Sequence, residues 1–243
     1  MKPKQDTIYS EPNHQIDKFS FDVTVAGVFD DMIRRSIPGY STIIQTIGEI
    51  AREFVKPDTN VYDLGCSLGT ATISLRRNIQ HKNCRIVAVD SSQSMIERCN
   101  ENLNAYKSNT IVELNCCDIR NVDISNASMV VLNFTLQFLE PEDREPLIQK
   151  IYSGLNPSGI LVLSEKLRFS DAVIQQHLDS QHLDFKRANG YSELEISQKR
   201  TALEDVMRTD TLEIHQQRMS NCGFQHFNIW FQCFNFASMV AFK

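Results

Sequence analysis

The stretch NVYDLGCSLGTATISLRRN, residues 60–78, decides how this chain folds. It begins with the apolar run NVYDL, continues through the glycine loop GCSLG at residues 65–69, and ends in a segment with helical spacing of apolar residues. A strand, a glycine turn and a helix in this order form the first unit of a sheet with crossover helices. The stretch therefore predicts a strand at Asn60–Leu64 and a helix at Thr70–Asn78, with a ligand-binding loop between them.

Apolar runs and helical patterns keep alternating downstream of this unit. Further strands are predicted at Cys84–Asp90, Ile111–Cys117, Ser128–Phe134 and Ile160–Glu165, and further helices at Ser94–Ala105 and Glu142–Leu155. The tetrapeptide NPSG at 156–159 predicts a turn before the fifth strand. Two β-rich runs near the C-terminus are separated by a gap too short for a helical crossover, which predicts an antiparallel hairpin. The predicted fold class is α/β, with a Rossmann-like, mostly parallel sheet of seven strands and helices on both faces.

Two segments lie outside this alternation within a single predicted domain, 1–243. Residues 15–57 are predicted to form two helices split at Pro38-Gly39, and residues 167–210 a long polar helical stretch. Ligands bind at the carboxyl ends of the strands in open α/β sheets. We therefore expect 15–57 to form an N-terminal helical lid and 167–210 a helical insertion at the active site.

Composition excludes several classes of protein. The chain has 25 Lys and Arg against 30 Asp and Glu, a formal charge of -5, so no global positive field is available for direct nucleic-acid binding. No apolar run approaches the ~20 residues that span a bilayer, and the N-terminus has no signal-peptide core. We expect a soluble, cytoplasmic protein that does not contact a membrane.

Cysteine and histidine spacing predicts no metal site. The seven cysteines contain no C-x-x-C pair and several lie in apolar runs, which favours reduced, mostly buried thiols. His177 and His182 are five residues apart, so they do not share a helix face as a metal-binding pair would.

The loop GCSLG also fits the G-x-S-x-G pattern of a hydrolase nucleophile elbow, with Ser67 as nucleophile. That interpretation is disfavoured because the loop follows the first strand, whereas an elbow follows a strand in mid-sheet. The elbow also needs a later histidine on a loop after a late strand, and no such position is evident for His177, His182, His215 or His226.

A nucleotide-binding loop explains more residues. Glycines let the backbone approach a ligand at a helix N-terminus, and Asp90, at the end of the second predicted strand, can accept hydrogen bonds from ribose hydroxyls. Ser67 replaces the middle glycine of the dinucleotide fingerprint, and Asp63 precedes the loop. A carboxylate there repels a pyrophosphate but attracts an ammonium and a sulfonium. The expected ligand is S-adenosyl-L-methionine, held by Gly65, Cys66 and Ser67.

Residues 63–69, DLGCSLG, resemble the glycine-rich first motif of class I S-adenosylmethionine-dependent methyltransferases. The resemblance implies that Asp90 and Ser91 contact the cofactor, that Asp118 and Ile119 contact its adenine, and that Asn133 lies beside the reacting carbon. Each position has a structural alternative, since Asp118 could cap a turn and Asn133 could terminate a strand.

A finer resemblance covers nearly the whole chain. The stretches that carry it are FDVTVAGVFDDMIRRSIPGY at 21–40, VYDLGCSLGTAT at 61–72, MVVLNFTLQFLEP at 129–141, DFKRANGYSELEISQKR at 184–200 and IWFQCFNF at 229–236. They resemble the carboxy-S-adenosyl-L-methionine synthase family. This resemblance implies conversion of S-adenosyl-L-methionine and prephenate to carboxy-S-adenosyl-L-methionine and phenylpyruvate, through a sulfonium ylide that captures carbon dioxide. The product serves synthesis of 5-carboxymethoxyuridine at wobble uridine 34 of tRNA.

The same resemblance implies further site residues and partners. Arg200 is expected to bind the new carboxylate with its guanidinium fork, and Tyr40 to lie over the cofactor. The alternatives are that Lys199-Arg200 and Lys186-Arg187 form a solvated basic face, and that Tyr40 is a core residue. A homodimer is implied, with 167–210 at its interface and Arg200 acting in its own subunit or across to the neighbour, and the product passes to a tRNA U34 carboxymethyltransferase.

Two other functions remain open from the sequence. A conventional methyltransferase acting on a small molecule or on tRNA needs a nucleophile and usually a base near Asn133, and the stretch NFTLQF at 133–138 offers neither His, Cys nor an acid. The other alternative is a non-catalytic module that binds S-adenosylmethionine.

Overall fold

A sheet of seven strands, in the order β3-β2-β1-β4-β5-β7-β6, forms the centre of the computed structural model, which describes residues 4–243. The strands are β1 (Asn60–Leu64), β2 (Arg85–Asp90), β3 (Ile111–Cys116), β4 (Ala127–Asn133), β5 (Leu155–Lys166), β6 (His226–Cys233) and β7 (Phe236–Phe242). Strands β1 to β5 pair in parallel, and β7 pairs antiparallel with both β5 and β6. The predicted fold class and the C-terminal hairpin are confirmed.

Helices cover both faces of the sheet and extend beyond it. They are α1 (Val23–Ser36), α2 (Tyr40–Phe54), α3 (Thr70–Asn78), α4 (Gln93–Asn104), α5 (Pro141–Gly154), α6 (Ala172–Ala188), α7 (Glu193–Leu203) and α8 (Leu212–Asn221). Side-chain caps begin several of these helices: Asp22 accepts a hydrogen bond from the Val25 amide, and Ser192 forms a capping box with Glu195.

The order in which strands are added to the sheet reverses after β3, so a topological switch point lies between β1 and β4. Strands β2 and β3 lie on one side of β1, and the chain then crosses back to place β4 on its other side. A crevice forms outside the carboxyl ends of the strands at such a switch point. This topology brings the residues that follow β1, β2, β3 and β4 to one edge of the sheet.

Alternate side chains of the buried strands supply two apolar layers. Tyr62 and Leu64 pack on one face of the sheet with residues of α5, whereas Val61 packs on the other face with α2 and α3. Asp63 shares the face of Val61 by strand alternation, and it accepts a hydrogen bond from Thr72 of α3. The period of the strand therefore places a carboxylate beneath the glycine loop.

Three parts of the structure differ from the sequence prediction. Strand β5 begins at Leu155, which pairs with Ala127, so the predicted turn NPSG lies within a strand whose register is irregular there. The predicted single helical stretch in 167–210 contains two helices, α6 and α7, because Gly190 adopts a φ of 84° and the capping box at Ser192 restarts the helix. Helix α8 was missed, since its polar sequence LEIHQQRMSN shows little helical amphipathicity.

No helix among residues 4–243 is long and apolar enough to cross a membrane. Within the same residues, no group of three or more His, Cys, Asp or Glu side chains is arranged to hold a metal ion. All seven cysteines are free thiols, and Cys66, Cys84, Cys99 and Cys222 are buried.

Candidate active site

A cavity of about 1020 Å³ opens at the carboxyl ends of the parallel strands. Its volume is at the upper end of the range for small-molecule sites, which leaves room for more than one ligand. Every site residue predicted from the sequence lines it: Tyr40, Asp63, Gly65, Cys66, Ser67, Asp90, Ser91, Asp118, Ile119, Asn133 and Arg200. The structure thus brings these residues together, from the start of α2 to the last turn of α7.

The glycine loop is fixed by backbone geometry. Gly65 has a φ of 84°, and a Cβ added there would lie 2.3 Å from the Thr135 Oγ1. Gly69 has a φ of 79°, and its added Cβ would lie 2.5 Å from the Cys99 Sγ. Both the left-handed conformation and the close approach require glycine at these positions. Between them the loop presents backbone to the cavity at the start of α3, where unpaired N–H groups favour an anionic ligand group.

Ser67 also occupies a left-handed conformation, with a φ of 49°. Its amide donates to the Asp90 Oδ2 at 2.9 Å, and its hydroxyl lies 3.5 Å from the Met95 Sδ. His182 lines the same cavity, but its Nε2 lies 2.8 Å from the Ser36 carbonyl oxygen, to which it donates. The serine is therefore oriented by the Asp90 loop and by Met95, and it lacks the hydrogen-bonded histidine of a nucleophile elbow.

Asp63 and Asn133 present unsatisfied acceptors at the cavity. Asp63 is fully buried, and its Oδ2 accepts a 2.5 Å hydrogen bond from the Thr72 hydroxyl. Its Oδ1 and the Asn133 Oδ1 are both buried and have no hydrogen-bond partner among residues 4–243. Burial raises the pKa of Asp63 to about 6, more than the Thr72 hydrogen bond lowers it. A ligand ammonium would satisfy these acceptors and stabilise the carboxylate, so the residues present fit S-adenosylmethionine.

Asp90 is held as a pre-oriented acceptor. Its carboxylate accepts from the amides of Ser67 and Ser92, both at 2.9 Å. Burial raises its pKa, while these backbone hydrogen bonds oppose the shift. Each oxygen keeps a further lone pair, so Asp90 can still accept from ligand hydroxyls. Ser91 follows it in the cavity wall.

Asp118 caps a turn, as its structural alternative predicts, and it also lines the cavity. It caps the short 3-10 turn Ile119–Asn121, and its carboxylate pairs with Arg120 at 2.5 Å. The Arg120 hydrogen bond is the main cause of a lowered pKa for Asp118. A capped turn and a cavity position coexist here, since Asp118 and the buried Ile119 both line the cavity.

Aromatic side chains close the same cavity on the N-terminal side. Phe21 contacts Phe19, Phe29 and Phe138 edge to face, with ring centroids 5.1, 6.1 and 5.3 Å away. Tyr40 begins α2 and is 6% exposed, and burial raises the pKa of its hydroxyl. These rings give the cavity an apolar wall on this side.

A group of cations lies in the cavity wall formed by β5, α6 and α7, and Arg200 is its only member predicted as a site residue from the sequence. Its members are Lys166, Lys186, Lys199 and Arg200. Burial lowers the pKa of Lys166, lowers that of Lys186 to about 7 and lowers that of Lys199 to about 8. Mutual repulsion deepens these shifts, because Arg200 and Lys166 both depress the pKa of Lys186.

The interpretation of Lys186-Arg187 and Lys199-Arg200 as a solvated basic face is wrong for two of the four side chains. Lys199 is buried against Asp6, and Lys186 is half-buried in the cavity wall. Arg187 does remain outside, where it pairs with Asp184 and Glu193. Lys166 could have been identified from the sequence because it is a charged residue at the end of a buried parallel strand.

The comparisons with known proteins agree with this geometry. Residues 61–159 match a family described as a methyltransferase domain. The chain is 70% identical to a carboxy-S-adenosyl-L-methionine synthase from Shewanella putrefaciens, with each protein covered in full.

Solved structures show the same fold at low sequence identity. An O-methyltransferase family protein from Burkholderia thailandensis aligns with a TM-score of 0.65 and 15% identity, over 95% of this chain and 65% of that one. An S-adenosylmethionine-dependent methyltransferase from Methanosarcina mazei aligns with a TM-score of 0.57 and 14% identity, over 80% of this chain and 96% of that one. The 70% identity to the curated relative extends over both full chains, and the fold is shared with solved methyltransferases. This chain therefore belongs to the carboxy-S-adenosyl-L-methionine synthase family, enzymes built on the class I methyltransferase fold.

Proposed function

We propose that this protein converts S-adenosyl-L-methionine and prephenate to carboxy-S-adenosyl-L-methionine and phenylpyruvate. One observation carries the proposal: a single cavity has buried acceptors at Asp63 and Asn133 on its sheet side and cations around Arg200 on its α6 and α7 side. The first half suits a cationic substrate, and the second suits an anionic substrate together with a carboxylated product.

The sheet side holds S-adenosylmethionine as a substrate. Asp63 and Asn133 accept from its ammonium, and the loop of Gly65, Cys66 and Ser67 presents backbone to its amino-acid half. Asp90 and Ser91 bind the ribose hydroxyls. Asp118 and Ile119 flank the adenine, and Tyr40 covers the sulfonium region.

The reaction balances without an external oxidant. Prephenate loses its ring carboxylate as carbon dioxide and its ring hydroxyl as hydroxide, and it becomes aromatic as phenylpyruvate. The hydroxide takes a proton from the substrate methyl group to give water, and the resulting carbon nucleophile attacks the carbon dioxide. One carbon–carbon bond forms at the methyl carbon, and the product gains one carboxylate.

The protein contributes charge placement and exclusion of water to this reaction. Arg200 holds the carboxylate of the product with its planar fork. The Phe21 ring cluster keeps bulk water from carbon dioxide and from the carbon nucleophile, either of which water would otherwise consume. In this scheme residues 15–57 act as the lid, and residues 167–210 as the wall that carries the cations.

We also propose a cytoplasmic homodimer that supplies its product to a tRNA U34 carboxymethyltransferase. Exposed apolar side chains on α6 and α7, at Val173, Ile174 and Leu194, support a contact between subunits at this insertion. Arg200 lines the cavity of its own subunit, which supports action in cis. The net charge of -5 supports transfer of a small-molecule product rather than direct tRNA binding by this chain.

Mass spectrometry of the ligand retained by purified protein tests the proposal. A species heavier than S-adenosylmethionine by one carbon dioxide supports it. Recovery of S-adenosylmethionine or S-adenosylhomocysteine alone would favour a binding module or a conventional methyltransferase.

Arg200→Ala extends the test to the assigned residue. The variant should still bind S-adenosylmethionine but lose the carboxylated ligand, whereas Arg98→Ala, at a surface pair with Glu101, should retain both. Undiminished retention of the carboxylated ligand by Arg200→Ala would refute the assignment.

A further inference from the structure

Three cations from three different elements converge on one wall of the cavity. Lys166 ends β5, Lys186 lies in the last turn of α6, and Arg200 lies in the last turn of α7. Among residues 4–243, none of the three forms a salt bridge, whereas the adjacent Lys199 pairs with Asp6. The fold therefore assembles positive charge at a ligand cavity and pairs only one of the four cations, Lys199, with a carboxylate.

The carboxylates nearest this wall are engaged elsewhere or lie at its edge. Asp179 accepts from the amide side chains of Gln175 at 2.7 Å and Asn235 at 3.0 Å, and it is the carboxylate that acts on Lys166. Glu204 lines the cavity just beyond α7. Lys186 is surrounded by like charge: Lys199, Lys166 and Arg200 all repel its ammonium. Such a cluster is costly when empty, and a polyanionic ligand relieves the repulsion.

An apolar ring surface lies beside the Lys166 ammonium. The Phe236 ring centroid is 5.9 Å from the Lys166 Nζ and 4.8 Å from the ring of His182. His182 stays neutral there, because burial and the neighbouring lysines lower its pKa to about 3. The wall thus combines an apolar face with positive charges from different elements, which suits a cyclic ligand that has two carboxylates.

We propose that Lys166 and Lys186 are the specificity pair for a cyclic dicarboxylate dianion, each binding one carboxylate, while Arg200 is kept for the carboxylate that forms on the other substrate. The inference deepens the proposed function and rests on it for the identity of the dianion. Lysine suits this task because its compact ammonium acts as a point charge, whereas the arginine fork suits the single carboxylate of the product. The pair should also select against monocarboxylates, which leave one ammonium without a partner.

The pair has a pH consequence that distinguishes it from a structural role. Lys186 faces Lys166 from β5, Lys199 and Arg200 from α7, and the neutral His182 from its own helix. Its ammonium begins to lose its proton near neutral pH in the empty site, and a bound dianion restores that proton. Affinity for the dianion should therefore fall as pH rises above about 7.

Lys186→Met and Lys166→Met test the pair, because methionine keeps the apolar stem and removes the charge. The control is Lys82→Met, an exposed lysine that precedes β2 at the opposite end of the strands. Prephenate binding is measured by calorimetry with S-adenosylhomocysteine on the sheet side, and S-adenosylmethionine binding is measured separately. Each cavity variant should weaken prephenate binding about 10- to 100-fold and leave S-adenosylmethionine affinity within about twofold.

Lys186→Arg should recover most of the affinity and remove its decline above pH 7. The inference is overturned if prephenate affinity is unchanged in both methionine variants, or if the affinities for prephenate and S-adenosylmethionine fall together. Failure of the proposed function is a different result: wild-type protein would then form no carboxylated product from the two substrates, even if Lys186→Met weakened dianion binding.

Discussion

The carboxylate of Asp6 lies 3.5 Å from the ammonium of Lys199, with both side chains buried. Tyr191 donates its hydroxyl to the same carboxylate at 2.6 Å, and Arg35 donates to the Asp6 carbonyl oxygen at 3.1 Å. The start of the chain is thereby tied to the helix that carries Arg200. The position of the α7 cations Lys199 and Arg200 therefore depends on a residue near the N-terminus.

Asp6→Asn should destabilise the protein, because it leaves the buried Lys199 ammonium without its counter-charge. We expect a loss of about 2 to 3 kcal/mol in the free energy of unfolding, measured with denaturant at pH 7. The matched control is Asp205→Asn, which breaks the exposed pair with Lys18 at 3.6 Å and should change stability by less than about 0.5 kcal/mol. Equal effects of the two variants would show that the buried pair has no special role.

Gly65→Ala should weaken S-adenosylmethionine binding. A Cβ at this position clashes with Thr135 and opposes a φ of 84°, so the loop must move from the ligand. We expect at least a tenfold rise in Kd by calorimetry. Gly27→Ala in α1 is the control: nothing lies within 4 Å of its added Cβ, and alanine should stabilise the helix by about 0.5 to 1 kcal/mol. Unchanged S-adenosylmethionine affinity in Gly65→Ala would contradict the loop assignment.

Binding of S-adenosylmethionine should weaken in acid because of Asp63. Its pKa is about 6 in the empty protein, so below that pH a proton must leave before the carboxylate can accept from the ligand ammonium. Kd should rise towards tenfold per pH unit below pH 6. Asp63→Asn should bind S-adenosylmethionine more weakly at pH 7.5. Its Kd should change little between about pH 5 and pH 7. The same acid slope in the variant would point to another group.

The free energy of unfolding should decrease as pH rises, because of Glu165. It is fully buried and accepts from the Leu136 amide at 3.0 Å, and burial raises its pKa to about 8 although Arg144 opposes the shift. The folded state therefore holds this proton more tightly than the unfolded state. Its contribution to stability is complete below pH 4.5, the ordinary value for glutamate, and declines as pH rises to about 8.

Glu165→Gln should flatten this decline. The free energy of unfolding, measured with denaturant from pH 5 to pH 8, should fall less steeply in the variant, by up to about 1.4 kcal/mol per pH unit. Parallel profiles for the two proteins would show that Glu165 is already ionised in the fold.

The sequence predicted the ligand loop and the sheet because these depend on local pattern. Strand β1 and helix α3 have the predicted bounds, since the apolar alternation and the glycine positions leave little freedom there. The position of Asp90 follows from the end of a buried strand. Parallel topology alone then brings the residues from Asp63 to Asn133 to one edge.

Features that depend on distant contacts were not predictable in this way. Nothing local to Asp6 indicates a partner in α7. A lysine in a polar helix, such as Lys186, has the same local pattern whether it faces solvent or a cavity. The residues NPSG have turn propensity, yet pairing with β4 and β7 holds Leu155–Lys166 as one strand. In each case the tertiary environment decided the outcome.

Transfer of an isotope from prephenate to the sulfonium product distinguishes carboxylation of S-adenosylmethionine from methyl transfer. Purified protein is incubated with S-adenosylmethionine and prephenate that carries carbon-13 in its ring carboxylate, and the sulfonium product is weighed by mass spectrometry. We expect a product heavier than S-adenosylmethionine by one carbon-13 dioxide, formed together with unlabelled phenylpyruvate. An unlabelled carboxylated product, or S-adenosylhomocysteine as the only product, would contradict it.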